Sequence, residues 1–148
     1  MAGYLSQNRF LAVPCWIVRV QRHRLEMKYG ISIPHSTPIG PGLLIGHFGG
    51  IVVNEHASIG RNCNLSHGVT IGQKNRGKFQ GYPRIGDSVY VGPGAVIIGS
   101  VCVGSNVAIG ASAVVVNHVE DSAVVVGNPA HVVSMKGSQD YVNWTHPE

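Results

Sequence analysis

Among the eight histidines of this 148-residue sequence, His47 and His67 form the pair whose spacing suggests chemistry. Each follows a branched aliphatic residue by two positions, Ile45 in one case and Leu65 in the other. Imidazole is the side chain best suited to accept a proton near neutral pH. If the two rings stack, they disfavour simultaneous protonation, so at least one stays available as a general base. The alternative is a pair of solvent-exposed histidines with no catalytic role.

A six-residue repeat is the element that would bring these histidines together. Ile, Leu or Val occupies thirteen positions in a frame of six with two breaks, and Gly follows eight of them. The thirteen positions are Ile33, Ile39, Ile45, Ile51, Ile59, Leu65, Ile71, Ile85, Val91, Ile97, Val103, Ile109 and Val115. A short strand followed by a tight turn, repeated, has this period, whereas a helix does not. Three hexads per turn predict an all-β solenoid, a triangular parallel β-helix in which His47 and His67 lie one coil apart.

Two breaks interrupt the frame of six. We assign a two-residue insertion to Ala57 and Ser58, and a long protruding loop to residues 73–84. The loop contains four basic residues and no acid: Lys74, Arg76, Lys78 and Arg84. Counting hexads in threes predicts that both insertions lie at the same corner of the prism. Such a loop either projects into solvent or contacts an anionic ligand or a neighbouring subunit.

The remaining segments flank the repeats. Residues 14–29 are predicted to form a helix because Pro14 suits a first turn and Gly30 suits the end. We therefore divide the chain into an N-terminal helical cap (1–30), a β-helix domain (31–133) with its loop (73–84), and a C-terminal tail (134–148). The helix is expected to cover the open end of the prism. The alternative is attachment to an acidic partner or a membrane surface.

Composition narrows the class of protein. Charged residues make up only 12% of the chain, which excludes a solvated disordered polymer, and a net charge of +4 is too mild to indicate nucleic-acid binding. Three scattered cysteines predict reduced thiols, and Cys63 is expected to face the core. Residues 1–8 lack a basic cluster followed by an apolar run. We therefore expect a cytoplasmic protein without integral membrane association.

Residues 29–133 resemble the catalytic domain of serine acetyltransferases and of related hexapeptide-repeat acetyltransferases that modify sugars. The segments that carry the resemblance are 45–55 (IGHFGGIVVNE), 68–72 (GVTIG), 82–86 (YPRIG) and 127–130 (GNPA). The resemblance implies a left-handed winding, a homotrimer and acetyl-CoA as co-substrate. It also implies that His47 is the general base, which removes the proton of an acceptor hydroxyl as that oxygen attacks the thioester.

The resemblance suggests roles for nine further residues. His67 and Glu55 are expected to act with His47 in catalysis. Gly72, Ala95 and Ala113 would leave room for CoA along the prism, and Lys136 would contact its phosphates. The residues expected near the acceptor substrate are Ser32, Tyr82 and Arg84. No metal ligand is expected.

The same alignment shows departures from serine acetyltransferase. The family's acidic partner of the catalytic histidine falls on Ser32, and a second acid that holds the amino-acid substrate falls on Gly46. The Arg-His pair that binds the substrate carboxylate falls on Gly81 and Tyr82. Basic residues that often contact CoA fall on Asn117 and His131. We therefore expect the acceptor to be a hydroxyl of a sugar or polysaccharide precursor, with L-serine as the alternative. Two other classes stay open: a metal-dependent hydratase that resembles the γ-carbonic anhydrases, and a non-catalytic scaffold.

Overall fold

The computed structural model describes residues 9–147, with side chains from residue 16 onward. Helix α1 spans Arg9–Tyr29. It begins before Pro14, so the predicted first-turn position of that proline is wrong, whereas the predicted end at Gly30 is confirmed by the bond from Gly30 N to Glu26 O. Residues 1–8, on which the prediction about membrane association rests in part, lie outside the described residues.

Short strands make up most of the rest of the chain. Residues 9–147 contain fourteen of them. They are β1 (Ile31–Ser32), β2 (Leu44–Ile45), β3 (Ile51–Val53), β4 (Ser58–Ile59), β5 (Asn64–Leu65), β6 (Thr70–Gly72), β7 (Arg84–Ile85), β8 (Tyr90–Val91), β9 (Val96–Ile98), β10 (Cys102–Val103), β11 (Ala108–Ile109), β12 (Val114–Val115), β13 (Val124–Val126) and β14 (His131–Ser134).

The strands form three sheets. Sheet A has the order β1-β3-β6-β9-β12, sheet B has the order β10-β7-β4, and sheet C has the order β14-β13-β11-β8-β5-β2. From β3 to β12, consecutive strands pass from A to B to C and back to A; in the first and last coils an isolated bridge, Ile39 to Ile59 or Val103 to Val119, takes the place of the sheet B strand. Neighbouring coils pair in parallel, and β14 alone among these strands is antiparallel. The three-sided solenoid predicted from the six-residue repeat is therefore confirmed.

Branched aliphatic residues fill the interior of this prism. The frame residues from Ile59 onward are almost fully buried, and so is the residue two positions before most of them. Cys63, Ala95 and Ala113 occupy such earlier positions and have 0% exposure, which confirms that Cys63 faces the core. Within the strands, the side chains that alternate with the buried ones point outward and can contact solvent or a partner.

The position of the first insertion differs from the prediction. Ile45 pairs with Leu65, twenty residues later, whereas Val53 pairs with Ile71, eighteen residues later. The two additional residues therefore lie between Ile45 and Val53, in the turn that contains His47, and not at Ala57 and Ser58. This turn joins sheet C to sheet A, whereas loop 73–84 joins A to B, so the two insertions lie at different corners.

The last coil is shorter than the predicted frame allowed. Val103 pairs with Val119 and Ile109 with Val125, both sixteen residues later. This coil places Val119 and Val125 in the core. The predicted frame ends at Val115 because the last coil is two residues shorter than its neighbours, which breaks a strict period of six.

The C-terminal residues return along the prism. After β14, Ser138 Oγ donates a hydrogen bond to Ser88 O, and His146 N donates to Asn62 Oδ1 at 2.7 Å. Tyr141 stacks on Tyr90 with ring centroids 4.8 Å apart. Residues 138–146 therefore form an ordered segment across sheet C and the corner between B and C, and we call them the C-terminal segment.

Helix α1 packs against the start of the prism, where Tyr29 also meets Phe48 edge to face. Leu25, Glu26 and Tyr29 face Ile31 and Ile33 across a shallow groove. Several apolar residues of the helix stay exposed, Trp16, Val18 and Met27 among them. No helix in residues 9–147 combines the length and apolar character needed to cross a membrane.

Candidate active site

The two histidines lie one above the other at the corner between sheets C and A. Because Ile45 and Leu65 pair in sheet C, the turns that follow them place His47 and His67 in adjacent coils. Their ring centroids are 6.1 Å apart and the rings meet edge to face at 76°. Both side chains are exposed. The predicted placement of the two histidines one above the other is confirmed, with the rings edge to face. A catalytic role for each ring stays a prediction.

Glycines hold this corner in place. Gly50, Gly68 and Gly94 have φ of 68°, 71° and 68°, a region that other residues rarely adopt. A Cβ on Gly68 would lie 3.3 Å from the Cα of Gly94. Backbone bonds join the coils here, from Gly68 N to Gly49 O and from Gly94 N to His67 O. The spacing of the two imidazoles is therefore set by a rigid stack of turns.

A groove of about 350 Å³ opens beside the histidines. Its wall combines the corner with the outer surface of sheet C. The lining residues include Leu44, His47, Asn64, Ser66, His67 and Tyr90. A molecule bound in this groove would contact both imidazoles. Next to them it would contact the apolar side chain of Leu44 and the side chain of Asn64.

Glu55 lies at a different corner. Its Oε1 is 3.4 Å from Nε2 of His56, in the turn that joins sheets A and B. The ring of His56 lies 4.7 Å from that of Tyr82. Within one chain Glu55 therefore contacts His56, and sheet A separates it from His47 and His67. Sequence reasoning missed His56, which follows Glu55 directly.

Similarity to known proteins adds to this geometry. Residues 82–117 match the family model described as bacterial transferase hexapeptide, six repeats. A serine acetyltransferase of Helicobacter pylori is 41% identical over 136 residues, which cover 90% of this chain and 76% of that protein. The chain belongs to the serine acetyltransferase family. Membership in this hexapeptide-repeat family also supports the left-handed winding that the sequence predicted.

Solved structures of serine acetyltransferases share the fold. The Neisseria gonorrhoeae enzyme superposes with a TM-score of 0.70 at 39% identity, over 76% of this chain and 43% of that one. A serine acetyltransferase in complex with CoA gives 0.70 at 29% identity, over 88% of this chain and 51% of that one. The chain thus spans about half the length of these solved relatives, and 54% of a curated relative from Synechococcus elongatus.

The residues assigned to CoA by family resemblance lie in three places. Ala95 and Ala113 follow the corner of His67 in the next two coils, but their side chains face the core, so only their backbones can contact a ligand. Gly72 is the last residue of β6, at the corner between sheets A and B. Lys136 is exposed beside sheet C, where it lines a cavity of about 780 Å³ with residues of the C-terminal segment.

The residues expected near the acceptor do not meet within one chain. Ser32 is exposed on the outer surface of sheet A, next to Val52. Tyr82 lies at the corner between A and B, and Arg84 is exposed on sheet B next to Ser58. Ser32, Tyr82 and Arg84 thus occupy three separate positions, on sheet A, at the corner between A and B, and on sheet B.

Loop 73–84 folds back on itself. Lys74 and Gly81 exchange backbone hydrogen bonds, and Nζ of Lys74 donates to Lys78 O at 2.7 Å. Arg76 and Lys78 are exposed. Lys74 is thus part of the loop's own structure, and Nζ of Lys78 lies 4.9 Å from the centroid of the Phe79 ring.

Neither a reactive Cys63 nor a metal site is found in the described part of the chain. Burial raises the pKa of the Cys63 thiol to about 11, and its Sγ donates to Gly86 O at 3.2 Å. The thiol is therefore neutral and inward, as predicted. Residues 9–147 of one chain contain no group of three or more His, Cys, Asp or Glu side chains able to hold a metal ion.

Proposed function

We propose that this chain is an acetyl-CoA-dependent O-acetyltransferase that uses His47 as its general base. The observation that carries the proposal is the stacked pair of exposed imidazoles, His47 and His67, at the mouth of a groove in a serine acetyltransferase fold. CoA is present in the structure of one such relative. The groove and the rigid corner supply a fixed position for a base next to a bound substrate.

The chemistry is a direct transfer. A neutral ring nitrogen of His47 removes the hydroxyl proton while the hydroxyl oxygen attacks the carbonyl carbon of the thioester. The tetrahedral intermediate then expels the CoA sulfur, and the imidazolium returns the proton to that thiolate. A covalent acetyl-enzyme through Cys63 is disfavoured because its thiol is buried and neutral.

L-Serine is the acceptor that we propose. Curated relatives at 33–41% identity are named serine acetyltransferase. The Neisseria gonorrhoeae enzyme was solved in complex with serine, and it is 37% identical to this chain. The saccharide acceptor expected from the sequence rested on substitutions such as Ser32 and Gly46, and none of these relatives supports it.

The working unit that we propose is a homotrimer. Glu55 and Tyr82 lie at the corner between sheets A and B, whereas His47 lies at the corner between C and A, so a site that uses all three requires adjacent copies. The outer surface of sheet A offers an apolar contact, with Val52, Thr70, Val96 and Val114 in register across neighbouring strands. If two prisms pack against each other through sheet A, a corner of one prism lies next to a corner of its neighbour.

The test is the His47→Ala variant, assayed with acetyl-CoA and L-serine by loss of thioester absorbance. Removal of a general base is expected to lower kcat by about 10²–10⁴-fold, because base catalysis typically contributes that much. His23→Ala is the matched control, since it removes an exposed imidazole on helix α1. Unchanged kcat in His47→Ala would remove this residue from the mechanism.

A panel of acceptors tests the substrate separately. Wild-type protein is assayed with L-serine, with L-threonine and with simple sugars at equal concentration. Preference for L-serine is expected. Transfer to sugars alone would overturn the assignment of serine and leave the acetyltransferase chemistry in place, and no transfer to any hydroxyl would overturn the proposed activity.

A further inference from the structure

Asn64 is buried although it lies on the outward side of its strand. It pairs in register with Leu44 and Tyr90 across sheet C. Leu44 is 37% exposed, whereas Asn64 is 8% exposed. The difference arises because the C-terminal segment covers sheet C at this level, with Tyr141 stacked on Tyr90.

The orientation of the Asn64 amide follows from its contact with that segment. Its Nδ2 donates a hydrogen bond to Tyr141 O at 3.0 Å. A flipped amide would place its oxygen against the Tyr141 carbonyl, which donates nothing, so the assignment of the two amide atoms is determined by the network. Oδ1 must therefore point away from Tyr141 O.

Oδ1 of Asn64 has no hydrogen-bond partner among the residues whose side chains the structure describes. Burial of an acceptor without a donor is unfavourable, and most buried polar groups in folded proteins are paired. A bound molecule with an N–H or O–H group would remove that deficit. Asn64 lines the same groove as His47 and His67, which is where such a molecule would lie.

We propose that Asn64 is a substrate-binding residue, whose Oδ1 accepts a hydrogen bond from an N–H or O–H group of a molecule in the histidine groove. This inference rests on the proposed acetyl transfer. Two substrates carry suitable donors: the acceptor, through its ammonium or hydroxyl groups, and acetyl-CoA, through the amide groups of its pantetheine arm. The C-terminal segment holds the amide in its productive orientation.

The experiment compares Asn64→Leu, which keeps the volume but removes both polar atoms of the amide, with Asn64→Gln, which keeps an amide oxygen and an N–H donor for Tyr141 O. The KM for acetyl-CoA and for L-serine is measured for both variants, and CoA binding is measured by calorimetry. Asn64→Leu is expected to raise one KM about three- to tenfold with little change in kcat, because a lost neutral hydrogen bond has that effect. Asn64→Gln is expected to restore part of the loss.

Ser138→Ala is the matched control, because it loosens the C-terminal segment at Ser88, outside the groove. If Asn64→Leu raises only the KM for L-serine, the hydrogen-bond donor belongs to the acceptor. If it raises the KM for acetyl-CoA and weakens CoA binding, the donor belongs to the pantetheine arm. Unchanged values for both substrates, or an equal rise in Ser138→Ala, would overturn the inference. Should Asn64→Leu not fold, Asn64→Ser makes the same comparison.

Wild-type turnover separates this inference from the proposed function. If wild-type protein transfers acetyl and Asn64→Leu is unaffected, only the role of Asn64 is wrong. If wild-type protein transfers acetyl to no hydroxyl, the proposed activity is wrong, and calorimetry of CoA binding alone still measures what Asn64 contributes to the groove.

Discussion

At the scale of single residues, Cys63 gives stability a pH dependence of known sign. Its side chain has 0% exposure, and burial raises its pKa from 9.0 to about 11. Below pH 9 the thiol is protonated in both the folded and the unfolded chain. Between these two values only the unfolded chain loses the proton, so stability falls as pH rises, by about 2–3 kcal/mol at the upper end.

The measurement is the free energy of unfolding in urea for wild type and Cys63→Ala, followed from below pH 9 to about pH 11. Wild type is expected to lose more stability over this range than the variant, which has no thiol at this position. Cys102→Ala, which alters an exposed cysteine, is expected to follow wild type. Parallel curves for wild type and Cys63→Ala would show that the buried thiol is not the cause.

The candidate site was only partly predictable residue by residue. The stacking of His47 and His67 followed from their separation of twenty residues, which holds wherever the two additional residues lie between them. Glu55 and Tyr82 were placed by family resemblance, which says nothing about the corner of the prism that each occupies. Asn64 gave no signal, because its burial depends on a segment that begins more than seventy residues later.

At the scale of elements, the corner glycines determine how closely coils stack at the histidines. Gly68→Ala would place a side chain at φ of 71° and 3.3 Å from the Cα of Gly94. We expect a loss of about 1–2 kcal/mol in the free energy of unfolding, because a non-glycine residue in the left-handed region costs about that much. Urea denaturation at matched protein concentration measures it.

Gly46→Ala is the matched control for that substitution. Gly46 lies at the same corner, but an added Cβ there has nothing within 4 Å and its φ is not positive. Its stability is expected to stay within about 0.5 kcal/mol of wild type, as for most substitutions without a packing or backbone penalty. Equal losses in the two variants would contradict the requirement for glycine at position 68.

The repeat predicted the coils but not every boundary between them. Ile51 and Val53 are both β-branched and both buried, at 0% and 3% exposure, so either fits the frame, and only the strand pairing distinguishes them. The C-terminal segment has no hydrophobic period, since hydrogen bonds such as that from Ser138 to Ser88 O and one aromatic stack hold it. Periodicity detects burial that repeats along the chain, and it misses segments held by polar contacts.

At the scale of the whole molecule, the three faces of the prism differ in what covers them. The C-terminal segment covers much of sheet C, and sheet B presents polar residues such as Ser58 and Arg84. Sheet A presents a row of mostly apolar residues, in which Val52 is 48% exposed. An apolar surface of this kind on a folded prism is typical of a protein–protein contact, which favours sheet A as the contact between copies.

The proposed contact between copies through sheet A predicts the effect of Val96→Asp. Val96 lies on β9, between Thr70 and Val114. A carboxylate buried without a partner between prisms costs about 3–5 kcal/mol, so the variant is expected to sediment as a monomer where wild type sediments as a trimer. Ser58→Asp adds the same charge to sheet B and is expected to remain trimeric. Circular dichroism confirms that both variants fold. A trimeric Val96→Asp, or a monomeric wild type, would show that sheet A is not the interface.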